Sequence, residues 1–162
     1  MTFGSNGRQD SIRTLIYFAF LAVFICTAVM IFYFSSQVAP KSMQTSNTVG
    51  EAINIEITHP QLPVSSQPLL FGLNLRKYAH IILFGVLGFS GSLACGIGIK
   101  RITVKLPVSL IVCLIYAISD EFHQTFVSGR NGRPEDVFID LAGIAVGIFF
   151  GLIVDKVVRT LF

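Results

Sequence analysis

The fold of this chain is decided by a polar block and the two apolar runs on either side of it. The block is residues 120–134, DEFHQTFVSGRNGRP. The run before it, residues 104–119, is short for a membrane crossing, and the run after it, residues 137–154, is long enough for one. A cluster of acidic, imidazole and guanidinium groups between two such helices must lie at the edge of a membrane.

Two further apolar runs complete the predicted architecture. Residues 14–34 and residues 78–99 are each long enough to cross a bilayer as a helix. Only 13% of the residues are charged and 52% are hydrophobic, whereas about a quarter of a soluble domain is charged. The sequence therefore predicts an all-α integral membrane bundle of four transmembrane helices. A lipid bilayer is the expected partner, and the modest net charge of +3 argues against nucleic acid.

Basic residues predict how the chain is oriented. With the N-terminus cytoplasmic, seven basic residues lie inside and five outside, which favours cytoplasmic N- and C-termini at the plasma membrane. The predicted parts are a cytoplasmic tail (1–13), a membrane domain (14–154) and a second cytoplasmic tail (155–162). The membrane domain includes an extracytoplasmic loop, residues 35–75. Residues 46–57 of this loop form either an amphipathic surface helix or part of a plain linker.

Helical spacing predicts which helices pack closely. His80 begins a stripe of small residues on the second span, and Asp136 and Asp140 begin another on the fourth. The first stripe continues through Gly88, Ser92 and Gly96, and the second through Gly143, Gly147 and Gly151. Small residues allow membrane helices to approach each other, so packing alone explains the glycines. The polar residues at the head of each stripe share one membrane face.

The third span brings further polar groups to the same face. Asp120 and Gln124 lie one turn apart, His123 is adjacent, and the spacing turns Glu121 away. An ionised carboxylate at the depth of Asp140 costs a few kcal/mol unless it is paired. A structural salt bridge from Asp140 or Asp120 is therefore an alternative to a functional site. Its candidate partners are Arg76, Lys77, Arg130 and Arg133.

A family resemblance rests on four groups of residues. They are Phe34-Ser35-Ser36-Gln37, Arg76-Lys77-Tyr78-Ala79-His80, the stretch from Asp120 to Arg130, and Asp136 to Asp140 followed by Gly143 and Gly147. In this order they resemble the VanZ-like family of small bacterial membrane proteins. One departure is Asp140, where related sequences often carry Asn. The resemblance implies a plasma membrane protein, and the namesake is linked to low-level resistance to the glycopeptide teicoplanin. It implies no reaction.

Three classes of function remain open at the sequence level. In the first, an outward-facing polar pocket binds an anionic or lipid-linked component of the cell envelope. The predicted ligand-binding residues are Arg76, Lys77, His80, Asp120, Gln124, Arg130, Arg133, Asp136 and Asp140. In the second, the site is that of a membrane enzyme acting by general acid and base catalysis or through a divalent metal. The catalytic candidates are His80, Asp120, Glu121 and His123.

The third class is a proton or ion path, which the clustering of polar residues at one membrane side disfavours. Cys26, Cys95 and Cys113 lie in apolar runs and indicate neither a disulfide nor a zinc site. The sequence assigns no cofactor and no specific metal site.

Overall fold

Four long helices form most of the part of the chain that the structure describes. The computed structural model describes residues 5–38, 44, 45, 48, 75–130 and 132–161. The helices are α1 (Ser5–Ser35), α2 (Leu75–Ala94), α3 (Ile102–Gln124) and α4 (Pro134–Leu161), and a 3-10 turn, Cys95–Ile97, follows α2. All four are long and apolar enough to cross a membrane, so the predicted all-α bundle is confirmed. The predicted surface helix over residues 46–57 lies largely outside the described residues.

The packing of α2 against α4 is the most extensive in the bundle, and glycines make it possible. A Cβ atom on Gly88 would lie 2.5 Å from the carbonyl oxygen of Ile144, and one on Gly147 would collide with the carbonyl oxygen of Gly85. The two helices therefore touch backbone to backbone along the predicted stripe of α4 and along Gly85 and Gly88 of α2, whereas Gly96 of the predicted α2 stripe faces Tyr17 of α1. They run in the same direction, because Gly85 neighbours Gly143 and Gly147 while Phe89 neighbours Gly151 farther along both helices.

An apolar core fills the middle of the bundle. It contains residues from all four helices: Ile31, Phe84, Leu87, Cys113, Ala117, Ile144 and Ile148. Large apolar side chains on the outer faces are exposed, among them Phe18, Ile115 and Phe149. A soluble protein would rarely expose so much apolar surface, whereas a bilayer covers it.

Polar groups are buried at both ends of the bundle. One end is formed by the last turns of α1 and α3 and the first turns of α2 and α4. We call it the site end, and it carries His80, Asp120, Glu121 and Asp140. The opposite end, which we call the paired end, carries Tyr17, Lys105, Asp155 and Arg159. The apolar core lies between them.

Candidate functional site

The connection between α3 and α4 folds back over the site end. Gly129 has a φ of 75°, a conformation that costs a glycine little, and the Arg130 N–H donates to the carbonyl of Val127 at 3.0 Å. A Cβ atom on Gly132 would collide with the carbonyl oxygen of Glu121. These two glycines allow the connection to lie directly against the last turn of α3. As a result, residues on both sides of the turn reach the same space.

Arg130 ties this connection to the end of α1. Its Nη2 donates to the carbonyl of Phe34 at 2.7 Å, and its Nε donates to the carbonyl of Gln37 at 2.9 Å. The side chain is buried, with 6% of the residue exposed. The carbonyl groups at a helix C-terminus have no hydrogen-bond donors within the helix, and the guanidinium group of Arg130 donates to two of the carbonyls at the end of α1. Much of its donor capacity is therefore used in holding the fold.

A hydrogen-bonded network orders the last turn of α3. Ser35 Oγ and Gln124 Nε2 both donate to Asp120 Oδ2 at 2.9 Å. Gln124 Nε2 also donates to Glu121 Oε1 at 3.0 Å, and the Arg133 N–H donates to Glu121 Oε2 at 2.9 Å. The carboxyl group of Glu121 thus belongs to the same cluster as that of Asp120.

The expectation that Glu121 turns away from the Asp120 face is therefore wrong. Glu121 is only 6% exposed. Helical spacing describes an isolated helix, in which Asp120 and Glu121 point in different directions. Here the folded-back connection covers the second direction as well, so both carboxylates face protein rather than lipid.

The first two turns of α2 and α4 place further charges beside this network. Lys77 Nζ lies 3.1 Å from Asp136 Oδ1, and His80 Nδ1 lies 3.4 Å from Asp140 Oδ1. Asp140 is completely buried. We expected any ion-pair partner of Asp140 to be an arginine or lysine, but the imidazole of His80 occupies that position. The close α2–α4 contact is what brings the two residues together.

Most of the predicted site residues line one polar cavity of about 300 Å³. They are Lys77, His80, Glu121, Gln124, Arg130, Arg133, Asp136 and Asp140. Asp120 lies beside the cavity through its contact with Gln124. The side chain of Arg76 is outside the described part of the structure.

His123 is placed apart from the cavity. Its ring stacks on Phe32 with the centroids 4.7 Å apart, and its Nε2 lies 3.2 Å from Ser36 Oγ. Both partners are on the α1 side of the bundle, whereas His80 faces α4. The two catalytic histidine candidates therefore do not act on one shared position in this arrangement.

A comparison with known protein families places the chain in one of them. A family model described as VanZ/LLP1 matches residues 18–155, most of the chain. The chain belongs to the VanZ/LLP1 family. The predicted resemblance is thereby confirmed, and the match includes the parts of α2, α3 and α4 that build the cavity. No curated protein matches the chain, and no solved structure matches it.

A second buried polar cluster, which the sequence did not predict, lies at the paired end of this VanZ/LLP1 family member. At the paired end, Asp155 accepts hydrogen bonds from Tyr17 Oη at 2.8 Å and Arg159 Nε at 2.9 Å, and Lys105 Nζ lies 2.7 Å from Asp155 Oδ1. Lys105 is fully buried. The four-residue spacing of Asp155 and Arg159 was a readable signal. No spacing in the sequence predicted that Tyr17 on α1 and Lys105 on α3 would contact Asp155.

Proposed function

We propose that this protein binds the polar head of an anionic or lipid-linked component of the bacterial cell envelope in the cavity at the site end. We further propose that this binding contributes to resistance to teicoplanin-type glycopeptides. The observation that carries the proposal is a polar cavity of about 300 Å³ at the end of a membrane bundle. Such a position is open to molecules that are themselves anchored in the bilayer.

The charges of the cavity suit a head group that both accepts and donates hydrogen bonds. The cavity is lined by three cationic side chains and three carboxylates. The cations are Lys77, Arg130 and Arg133, and the carboxylates are Glu121, Asp136 and Asp140. Arg133 is exposed, whereas Arg130 is buried and is engaged with backbone carbonyls. Arg133 is therefore the best placed to form a two-pronged contact with a phosphate or carboxylate. The carboxylates suit hydroxyl or ammonium groups of the same ligand.

Aromatic residues near the cavity suit the apolar part of such a ligand. Phe122 and Phe126 pack edge to face with centroids 5.1 Å apart, and 72% of Phe126 is exposed. Phe138 on α4, next to the cavity-lining Ile139, is also exposed. Aromatic side chains are common at the membrane interface, where they anchor helices. In the proposed complex they also contact the lipid chain while the head group enters the cavity.

The proposed orientation places the site end outside the cell. It rests on the excess of basic residues at the other end of the bundle and in the terminal segments. A reporter enzyme fused after Phe162 should show that the C-terminus lies in the cytoplasm. Activity restricted to the outside would reverse the orientation and leave the binding proposal in place.

Lipid retention tests the binding proposal. The protein is purified in mild detergent from a bacterial membrane, and the lipids it retains are identified by mass spectrometry. We expect an anionic or lipid-linked envelope component to be retained, and to fall about 10-fold in Arg133→Gln, because one charge-assisted contact is lost. Lys156→Gln, which changes an exposed cation near the paired end, is the control. A retained lipid profile identical in all three proteins would contradict the proposal.

A susceptibility assay tests the resistance role separately. Cells that express the wild-type protein should tolerate more teicoplanin than cells expressing Arg133→Gln at the same membrane level. Equal susceptibility in cells with and without the wild-type protein would remove the resistance role. The lipid-binding result would be unaffected.

A second candidate function is catalysis on a lipid-linked substrate in the same cavity. The pairing of His80 with Asp140 at 3.4 Å favours it, because a carboxylate beside an imidazole orients the ring for proton transfer. Incubating the purified protein with the retained lipid and following its mass tests this candidate. A change in mass that is abolished in His80→Gln would establish catalysis, and an unchanged lipid would leave binding alone.

A further inference from the structure

We propose that His80, Asp120 and Glu121 bind a divalent transition-metal ion of the Mn²⁺ or Zn²⁺ class, with Asp140 holding the imidazole in position. The sequence by itself predicted no specific metal site. The proposal rests on side chains of the site end alone and does not depend on which molecule enters the cavity.

The first observation is the convergence of three ligand atoms. One ring nitrogen of His80 and one carboxylate oxygen from each of Asp120 and Glu121 lie within 4.8 Å of one another. Neighbouring ligands of a tetrahedral zinc ion, each about 2.0–2.2 Å from the metal, are roughly 3.3–3.6 Å apart. Side-chain rotations that bring the three atoms about 1 Å closer together would therefore let them share one ion. Asp120 and Glu121 come from the end of α3, and His80 comes from α2.

The second observation is that buried carboxylate oxygens at this point lack hydrogen-bond donors. Within the described residues, Asp120 Oδ1 and Asp140 Oδ2 have none, although the residues are only 4% and 0% exposed. A buried carboxylate without a partner is strongly unfavourable. A bound cation would supply the missing interaction for Asp120 directly.

Neighbouring groups already orient the proposed ligands. Ser35 and Gln124 donate to Asp120 Oδ2, which leaves Oδ1 available for an ion. Asp140 lies against Nδ1 of His80. An acidic group or carbonyl beside a metal-binding histidine fixes the ring orientation in many metalloproteins. Asp140 would have this role here, as a positioning residue.

The charge balance of the cluster also calls for a cation. Asp120, Glu121 and Asp140 are buried around a single imidazole. Of the cations that line the cavity, Lys77 is paired with Asp136, Arg130 donates to the carbonyls of α1 with Nη1 3.4 Å from Gln124 Oε1, and Arg133 is exposed. A 2+ ion would reduce the excess of negative charge.

The mixture of donors selects the class of ion. Imidazole favours zinc and other transition metals, whereas magnesium and calcium are bound mainly by oxygen ligands. One imidazole with two carboxylates therefore suits Mn²⁺ or Zn²⁺.

Metal titration of the full chain tests the proposal. The protein is purified in detergent without a polyhistidine tag, treated with EDTA, and titrated with Mn²⁺ and with Zn²⁺. We expect about one ion per chain. Asp140→Asn should weaken binding by about 10–100-fold, as loss of a partner to a metal-binding histidine does. Glu121→Gln and His80→Gln should weaken it further. Glu135→Gln changes an exposed acid at the same end and should have no effect.

Several results would overturn the proposal. They are no stoichiometric binding of either ion by the wild-type protein, equal loss of affinity in Glu135→Gln and Glu121→Gln, or tighter binding of Mg²⁺ or Ca²⁺ than of Mn²⁺ and Zn²⁺. If Glu121→Gln does not fold, the wild-type titration and His80→Gln decide the question. Lipid retention is measured separately, so ion binding without a retained lipid would support this proposal and contradict the proposed lipid-binding function.

Discussion

The two ends of the bundle bury charge in opposite ways. At the paired end, one carboxylate, Asp155, contacts Lys105, Arg159 and the hydroxyl of Tyr17. At the site end, three buried carboxylates surround His80, and two of their oxygens have neither a hydrogen bond nor an ion-pair contact within the described residues. Both clusters lie near the ends of the helices of the bundle.

Buried charges at the paired end are neutralised by other side chains, whereas the buried carboxylates at the site end are only partly paired. A buried ion pair with its groups matched is stable as it stands, although it contributes little beyond an apolar contact of equal size. A buried cluster of like charge is stable only with a cation, a bound ligand or added protons. The contacts at the paired end therefore indicate a structural role, and the site end is where we propose that ligands bind. Four sets of variants test this comparison.

The largest expected effect is at the paired end. Asp155→Asn leaves Lys105 buried without its carboxylate, which should cost about 3–5 kcal/mol of unfolding free energy. In the metal-free protein Asp140→Asn should change stability little or raise it, because it removes one of several like charges. Denaturant titration followed by far-UV circular dichroism measures both, since the chain has no tryptophan. An equal loss in the two variants would contradict the distinction between the ends.

The next effect concerns the contact between α2 and α4, which runs between the two ends. In Gly147→Ala the new methyl group would collide with the backbone of Gly85, so α2 and α4 must move apart. Overpacking against backbone should cost about 3 kcal/mol. Gly98→Ala is the control, because a Cβ atom there meets nothing within 4 Å. The same denaturant titration measures both variants. Equal stability of the two would show that α2 and α4 can move apart without loss of stability.

Arg130 should affect stability at the site end through the backbone rather than through a ligand. Arg130→Lys cannot reach the carbonyls of both Phe34 and Gln37, so we expect a loss of about 2 kcal/mol. Arg133→Lys should leave stability unchanged, because that side chain is exposed. The titration is combined with the lipid-retention assay. Unchanged stability with lost lipid binding in Arg130→Lys would restore Arg130 to the role of a ligand contact.

The smallest effect compares two single hydroxyl groups. Tyr17→Phe removes one hydrogen bond to Asp155, and Ser35→Ala removes one to Asp120. Each should cost about 1 kcal/mol of stability. Only Ser35→Ala should also weaken binding of Mn²⁺ or Zn²⁺, by about 10-fold, because Ser35 orients a proposed ligand. Weaker ion binding in Tyr17→Phe would show that the two ends are not independent.

Local sequence determined the helices and the membrane character of this protein. Four apolar runs of sufficient length require helices in a bilayer, because every backbone polar group there needs an internal partner. The glycine spacing on α4, together with Gly88 and Ser92 on α2, indicated the α2–α4 contact, and the clustering of polar residues indicated the site end. All of these signals lie within single segments and are visible without a partner helix.

Only the tertiary structure decided which charges meet. The pairing of His80 with Asp140 depends on two glycine-lined helices packing in one register, and the burial of Glu121 depends on the connection that folds back at Gly129 and Gly132. The contacts of Asp155 with Tyr17 and Lys105 join three different helices. Short-range polar contacts require positions accurate to a fraction of an ångström. Spacing along one helix supplies the direction of a side chain, whereas its partner is set by the packing of the whole bundle.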